Sequence, residues 1–447
     1  MTSEPTTMSA NRRGAMTGAI LIALGFGFDD GALARSPAQH QRPQAGERAS
    51  PKPQAPDPLQ QGRQERTPFT AQETASAKPE DLPGSVRFAG DDPAAFQKVV
   101  GEAAAARDPW LVISGGGENG AFAAGILSGW SQAGNRPSFG VITGVSTGAL
   151  IAPFAFVGSG ADASLKQNYT EITAADVFEF GGTNAALTDT WPLKDRIDRS
   201  VTPDLLKAIA AEHAKGRRLL VATTQVETER PVVWDMGAIA SLASGPDARK
   251  YGDRPLKLFR EIVLASTAVP GVFPPVMINA VTEGGKHIQE MHDDGGSMAP
   301  YYLAPAATLA GAPEGGPKLP ASTVYLVINN KLTPEFGLVP RTVLGVLSGT
   351  VSAAIKAQTQ GALAITRAFA ARTHLDLRVA EIDGRFDKVS PGPFDPKYMK
   401  ALFEHGEALA KSGKAFPEAQ IASPKGRSDN LRGAEAVPLD DRTLAQR

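Results

Sequence analysis

Three short motifs hold the residues that could do chemistry, and each lies where an apolar run gives way to glycines. Gly144-Val145-Ser146-Thr147-Gly148 is a G-x-S-x-G sequence. Glycines on either side let the backbone take a tight turn that lifts a serine hydroxyl above a sheet, and a helix opening behind it aims free N–H groups at the same spot. Gly115-Gly116-Gly117-Glu118-Asn119-Gly120 also stands between an apolar strand and a helix. Consecutive glycines can turn their amides toward one point and hold negative charge there. His292-Asp293-Asp294-Gly295-Gly296 places a carboxylate at a strand end, where α/β enzymes keep catalytic groups. A serine hydroxyl needs a base within hydrogen-bond reach, and Asp294 is a candidate, the more so if burial raises its pKa.

Each motif leaves a second use open. The serine turn could be an inert surface turn, and Asp294-Gly295 an ordinary Asp-Gly turn. The glycine run fits an oxyanion hole, where losing one donor typically costs about 2.7–4 kcal/mol of transition-state stabilisation. Gly115, Gly117 and Gly120 also satisfy G-x-G-x-x-G, the pyrophosphate fingerprint, or could simply let a helix pack closely on a strand. Dinucleotide binding further requires an acidic residue after the next strand, and residues 135–146 contain none. A phosphate-binding P-loop fails too, since no Lys-Ser/Thr pair follows the glycines. For a Ser-His-Asp triad the histidine would be His374 or His405, each without a supporting motif, while His292 could orient or assist Asp294. His287, His292, Asp293 and Asp294 show no regular metal-ligand spacing. In a non-catalytic binding protein the same glycines would hold an anion or a lipid head group, with Ser146 only donating a hydrogen bond.

The elements that must position these groups alternate. Strands are predicted at residues 110–114, 140–143, 218–226, 231–235, 288–291, 323–329 and 374–382. Helices are predicted at 120–132, from about 147, and at 256–266, 341–372 and 396–412, with Pro153 expected to kink or stop the second. This alternation argues for a mainly parallel sheet covered on both faces. A Pro/Gly-rich apolar segment, Ala265-Ser266-Thr267-Ala268-Val269-Pro270-Gly271-Val272-Phe273-Pro274-Pro275, ends the helix before the Asp294 strand.

These four features occur in one order, and together they resemble the patatin-like phospholipase family. The likeness spans residues 110–329. It implies an α/β fold, a three-layer α/β/α domain with a mainly parallel central sheet, and a Ser–Asp dyad in which Ser146 is the nucleophile and Asp294 the base. The oxyanion hole would come from Gly115, Gly116 and Gly117, with Gly120, Gly144, Gly148, Gly295 and Gly296 completing the motifs. No cofactor or metal is implied, and the substrate class is a lipid or carboxylic ester, with a membrane surface as one place to meet it. Two features depart from the family pattern. Asn119 stands where the family usually has Arg or Lys, removing a positive charge near the glycines. Ser297-Met298-Ala299-Pro300 keeps only the proline of the usual Asn-x-Pro element. Asn-bearing chains occur among the bacterial, secreted members.

The rest of the chain bounds the setting. Of 447 residues 42% are hydrophobic, enough for a large α/β core, and a formal charge of −1 gives no footprint for nucleic acid. Arg12 and Arg13, an apolar run over residues 15–28 and Ala32-Leu33-Ala34 predict a signal peptide over residues 1–34, and hence a secreted or periplasmic protein; the arginine pair also permits a twin-arginine route. The run is shorter than the roughly 20 residues that span a bilayer. With no cysteine in the chain, neither a lipoprotein anchor nor a disulfide can form. Pro-rich composition predicts a disordered linker over residues 35–84, the catalytic domain over 85–415 and a disordered tail over 416–447. The apolar turn near residues 269–276 and the near-neutral charge suit an uncharged or zwitterionic lipid surface.

Overall fold

A computed structural model describes residues 66–417 apart from 184, 247, 316, 317, 335, 337 and 340. The expected signal peptide and most of the expected linker and tail lie outside the described residues.

Strands β1 (Lys78–Pro79), β2 (Arg87–Ala89), β3 (Trp110–Ile113), β4 (Val141–Val145), β7 (Arg218–Gln225), β8 (Arg230–Asp235), β9 (Val276–Val281), β10 (His287–Asp294), β11 (Thr323–Ile328) and β12 (Asp376–Glu381) form one sheet. A separate hairpin pairs β5 (Glu179–Thr183) with β6 (Ala186–Asp189). At the centre β12, β11, β3, β4 and β7 run parallel. β3, β4 and β7 are buried along their whole length, as expected of parallel strands covered on both faces.

The longer helices are α1 (Pro93–Gly101), α2 (Gly120–Gln132), α3 (Thr147–Val157), α4 (Asp162–Thr170), α5 (Trp191–Ser200), α6 (Pro203–Ala214), α7 (Met236–Ser244), α8 (Arg254–Ser266), α9 (Val343–Thr373) and α10 (Pro396–Lys411). Alternation along β3 divides them into two layers. Leu111 and Ile113 face a core built with α2–α8 and α10, whereas Trp110 and Val112 face a second core containing Phe96 and Val100 of α1 and Leu363 and Phe369 of α9. The fold is therefore α/β with helices on both sides of a mostly parallel sheet.

Three boundaries depart from the sequence-based expectation. Residues 71–79, assigned to the linker, form a helix (Ala71–Ser76) and β1, which pairs with β9. A capping box between Thr70 and Glu73 starts that helix, and Thr74 is tied to the buried Glu290. Average composition hides such local anchors, so the ordered domain begins before residue 85. At the other end Phe416 packs on Trp130 and Tyr325, which extends the domain past residue 415. Finally, α3 continues through Pro153 to Val157 rather than stopping. Burial of Ile151, Ala152, Phe154, Ala155 and Phe156 around it offsets the one missing hydrogen bond.

Candidate active site

The site is assembled where two strands meet nose to nose. β8 occupies one edge of β7 over residues 220–225. On the other edge β4 runs parallel as far as the Val145–Ala222 pair, and β10 arrives antiparallel, ending with Asp294 opposite Thr223. Ser146 follows β4 and Asp294 ends β10, so one neighbouring strand brings together groups 148 positions apart.

Ser146 has φ 54° and ψ −125°, a left-handed conformation that a non-glycine residue holds only when its surroundings impose it. Here they do. A Cβ on Gly144 would lie 2.3 Å from the Gly148 carbonyl oxygen, and one on Gly148 would lie 2.3 Å from that of Ile113. The turn closes only because both side chains are absent. Ser266 fixes the strained residue further: its Oγ accepts from the Ser146 N–H at 3.0 Å and donates to the Ala222 carbonyl at 2.7 Å.

The Ser146 hydroxyl donates to Asp294 Oδ2 at 2.6 Å, and both residues are buried. Asp294 Oδ1 accepts the Gly296 N–H at 2.7 Å, while the Asp294 backbone is tied to Ala268 at 3.0 Å and to Thr224 Oγ1 at 2.9 Å. Burial pushes the Asp294 carboxyl up to about 7, with the neighbouring Asp293 adding to it and the hydrogen bonds from Ser146 and Gly296 opposing it. A carboxylate so placed can take a proton from the serine near neutral pH. Gly295 sits where a Cβ would meet the Ala222 carbonyl oxygen at 2.3 Å.

The glycine run is not uniform. Gly115 donates its N–H to the Pro300 carbonyl at 3.0 Å, so the expected third oxyanion donor is already engaged inside the protein. Among the described residues the amides of Gly116 and Gly117 have no intramolecular partner, and Gly117 lines the same cavity as Ser146. Gly116 has φ 154°, and a Cβ there would fall 2.1 Å from the Asn329 carbonyl oxygen. Gly120 packs against Thr147 and Tyr169.

Asn329 is a support that the sequence reading missed. It is fully buried at the end of β11, where its Oδ1 accepts from the Ala123 N–H at 3.1 Å, its Nδ2 donates to the Ser114 carbonyl at 3.0 Å, and its backbone N–H donates to Ser114 Oγ at 2.8 Å. A polar residue closing an apolar strand was the available signal. Asn119, at the position of the family's usual cation, accepts from the Tyr398 hydroxyl at 2.8 Å.

Beside Ser146 opens a cavity enclosing about 780 Å³ of space, part of it open to solvent. Leu150, Phe154, Leu165, Ile197, Val269 and Phe273 give it an apolar wall. Its one charged lining residue among those described, Arg196, donates to Asn168 Oδ1 at 3.0 Å. Val269 and Phe273 belong to the Pro/Gly turn, so that turn lines the interior with its large side chains instead of offering them to a surface.

The histidines lie elsewhere. His292 contacts Thr223 Oγ1 at 3.0 Å and packs on Trp234, with burial holding its imidazole below the usual pKa. His374 caps α9, His405 stacks on Phe122, and His287 pairs with Glu80. None of them bonds to Ser146 or Asp294, and His287, His292, Asp293 and Asp294 do not converge on one point.

Neighbouring strands thus bring a strained serine and a buried aspartate into hydrogen-bond contact beside an apolar cavity. Residues 111–305 match the model of the patatin-like phospholipase family, and over that span the chain carries a patatin-like phospholipase domain. Lipid acyl hydrolysis is the broad activity of such a domain. The crystal structure of VipD from Legionella pneumophila is similar over 70% of this chain and 68% of that one, with a TM-score of 0.36 and 11% identity. No curated protein matches the chain.

Proposed function

We propose that the protein cleaves carboxylic ester bonds of lipids with Ser146 as nucleophile and Asp294 as its base. Asp294 Oδ2 receives the hydroxyl proton as Ser146 Oγ attacks the ester carbonyl. The free amides of Gly116 and Gly117 meet the negative charge that develops on the carbonyl oxygen. Collapse of the tetrahedral intermediate breaks the ester C–O bond, and the proton held by Asp294 goes to the departing alcohol. Water then attacks the acyl-serine, giving its proton to Asp294, and the fatty acid leaves as Ser146 regains a proton. The cycle uses no cofactor and no metal. The apolar cavity accepts the acyl chain, and a membrane or other lipid aggregate is the source of substrate. The N-terminal pattern of residues 1–34 fits an exported enzyme of the bacterial secreted type.

The observation that carries this reading is the buried 2.6 Å hydrogen bond from a strained serine to an aspartate. It favours the dyad over a Ser-His-Asp triad, and an activated serine over a spectator in a lipid-binding protein. Fatty acid release from a panel of phospholipid and acylglycerol esters tests it. Wild type should turn over at least one ester class, Ser146→Ala and Asp294→Asn should lose turnover, and substitutions of His292, His374 and His405 should retain it. Near-normal turnover by Asp294→Asn would end the dyad reading.

A further inference from the structure

Four exposed large apolar side chains, Phe336 (96%), Leu338 (91%), Val339 (52%) and Val346 (57%), lead into and along α9, and Phe180 (72%) stands on the β5–β6 hairpin; Val389 (76%) and Trp191 (53%) lie on other segments. α9 is built in two halves. Its second half is anchored in the core by Thr359, Leu363 and Phe369, whereas no residue described before Thr359 is buried. The free half extends for about 24 Å at the helical rise. From Leu332 to Ile355 the sequence carries only two charges, Glu335 and Arg341.

This sparsely charged stretch meets the Pro/Gly turn that walls the cavity. Leu347 Cδ2 lies 3.9 Å from where a Cβ on Gly271 would be. Gly271 and Val272 in turn accept hydrogen bonds from Leu187 N and Thr188 N of the hairpin, each at 3.1 Å. Their turn supplies Val269 and Phe273 to the cavity wall. Hairpin, turn and the free half of α9 therefore form one continuous rim.

We propose that this rim is a lipid-docking surface: Phe336, Leu338, Val339 and Val346, with Phe180, enter the apolar layer of an uncharged or zwitterionic bilayer and seat the cavity on it. The inference rests on the ester-hydrolase reading, because a long-chain lipid must pass from an aggregate to Ser146 without crossing water. Between Lys331 and Lys356 the only two charges, Glu335 and Arg341, are of opposite sign, which suits insertion rather than attraction to anionic head groups. Among the described residues no helix is long and apolar enough to cross a membrane, so α9 would lie on the bilayer.

Co-sedimentation of the full chain with phosphatidylcholine vesicles tests the surface. Wild type should bind, with little change between low and high salt. The double variant Phe336→Ser, Leu338→Ser should partition about tenfold or more weakly, from the loss of two inserted apolar groups. Both side chains are almost fully exposed, so the variant keeps its fold, and its turnover of a water-soluble short-chain ester should equal that of wild type. A tryptophan placed by Phe336→Trp should be quenched by brominated phosphatidylcholine. Unchanged partitioning of the double variant overturns the proposal, as does binding that needs anionic lipid and vanishes with salt. A change confined to self-association also overturns it, by assigning the rim to a second copy. Vesicle binding lost in the double variant of a protein that cleaves no ester would retain the surface and reject the hydrolase reading. Ester cleavage with unaltered vesicle binding would do the reverse.

Discussion

Replacing Asp294 by Asn should make the protein more stable while abolishing its turnover, and the gain should depend on pH in a defined way. The amide keeps the shape of the carboxyl: its Oδ1 can still accept the Gly296 N–H and its Nδ2 can donate to Ser146 Oγ. What disappears is the titration. Burial raises the Asp294 carboxyl from 3.8 to about 7. The folded protein therefore holds this proton more tightly than the unfolded chain does. The stabilisation from that proton is complete below about pH 4 and is lost as pH rises through about 7, above which the difference stays constant. At about 1.4 kcal/mol per pH unit, a window of roughly 3 units amounts to roughly 4 kcal/mol. Urea unfolding at pH 4, 5.5 and 8 would read it, with equal slopes ensuring that midpoints report stability. The Asn variant should match wild type near pH 4, exceed it at pH 5.5 and exceed it by up to roughly 4 kcal/mol at pH 8. For the same reason wild-type kcat/KM should rise with pH up to about 7 and then level off, as the base becomes ionised. A variant less stable than wild type at pH 8, or a difference that ignores pH, would refute the assignment of a buried, proton-retaining carboxyl.

Gly116→Ala forces a Cβ against the Asn329 carbonyl at a φ that side chains avoid, so it should lower kcat for any cleaved ester by about 10²-fold or more, with a reduced melting temperature. Asn329→Leu strands the Ser114 carbonyl and the Ala123 N–H in the interior, and should destabilise the protein by about 2–3 kcal/mol in urea unfolding. Ile197→Phe narrows the cavity and should reduce kcat/KM about tenfold for long-chain esters relative to four- to six-carbon ones, measured across an acyl-length series.

Much of the site was legible because its motifs are local. Strand, glycine turn and helix follow one another around Ser146 and around Gly116, and period and punctuation suffice to place them. The strands and helices bearing the motifs were found within a few residues of their observed bounds. Long-range assembly was harder. That Asp294 ends a strand lying in line with β4 depends on β7 serving both, which no local pattern reveals. Treating Gly115, Gly116 and Gly117 as equivalent donors missed that the Gly115 amide is taken by Pro300, nearly two hundred positions away. Ser266 was visible in the Pro/Gly segment as packing, yet its hydroxyl links Ser146 to Ala222. Helices α4, α5 and α6 went unassigned, although α4 and α5 wall the cavity, because each is short and buries only two or three of its residues. Residues 71–79 show the opposite failure, where Pro-rich surroundings concealed a capping box and one buried threonine.

If Ser146 is the nucleophile and Asp294 its base, the reactivity of the serine depends on that one aspartate. Exposing the folded protein to a fluorophosphonate and mapping the adduct by mass spectrometry measures that directly. A single modified residue, Ser146, is expected, with labelling slowed by about 10²-fold or more in Asp294→Asn. An unlabelled Ser146 in folded protein, or a rate unaffected by Asp294→Asn, would contradict it.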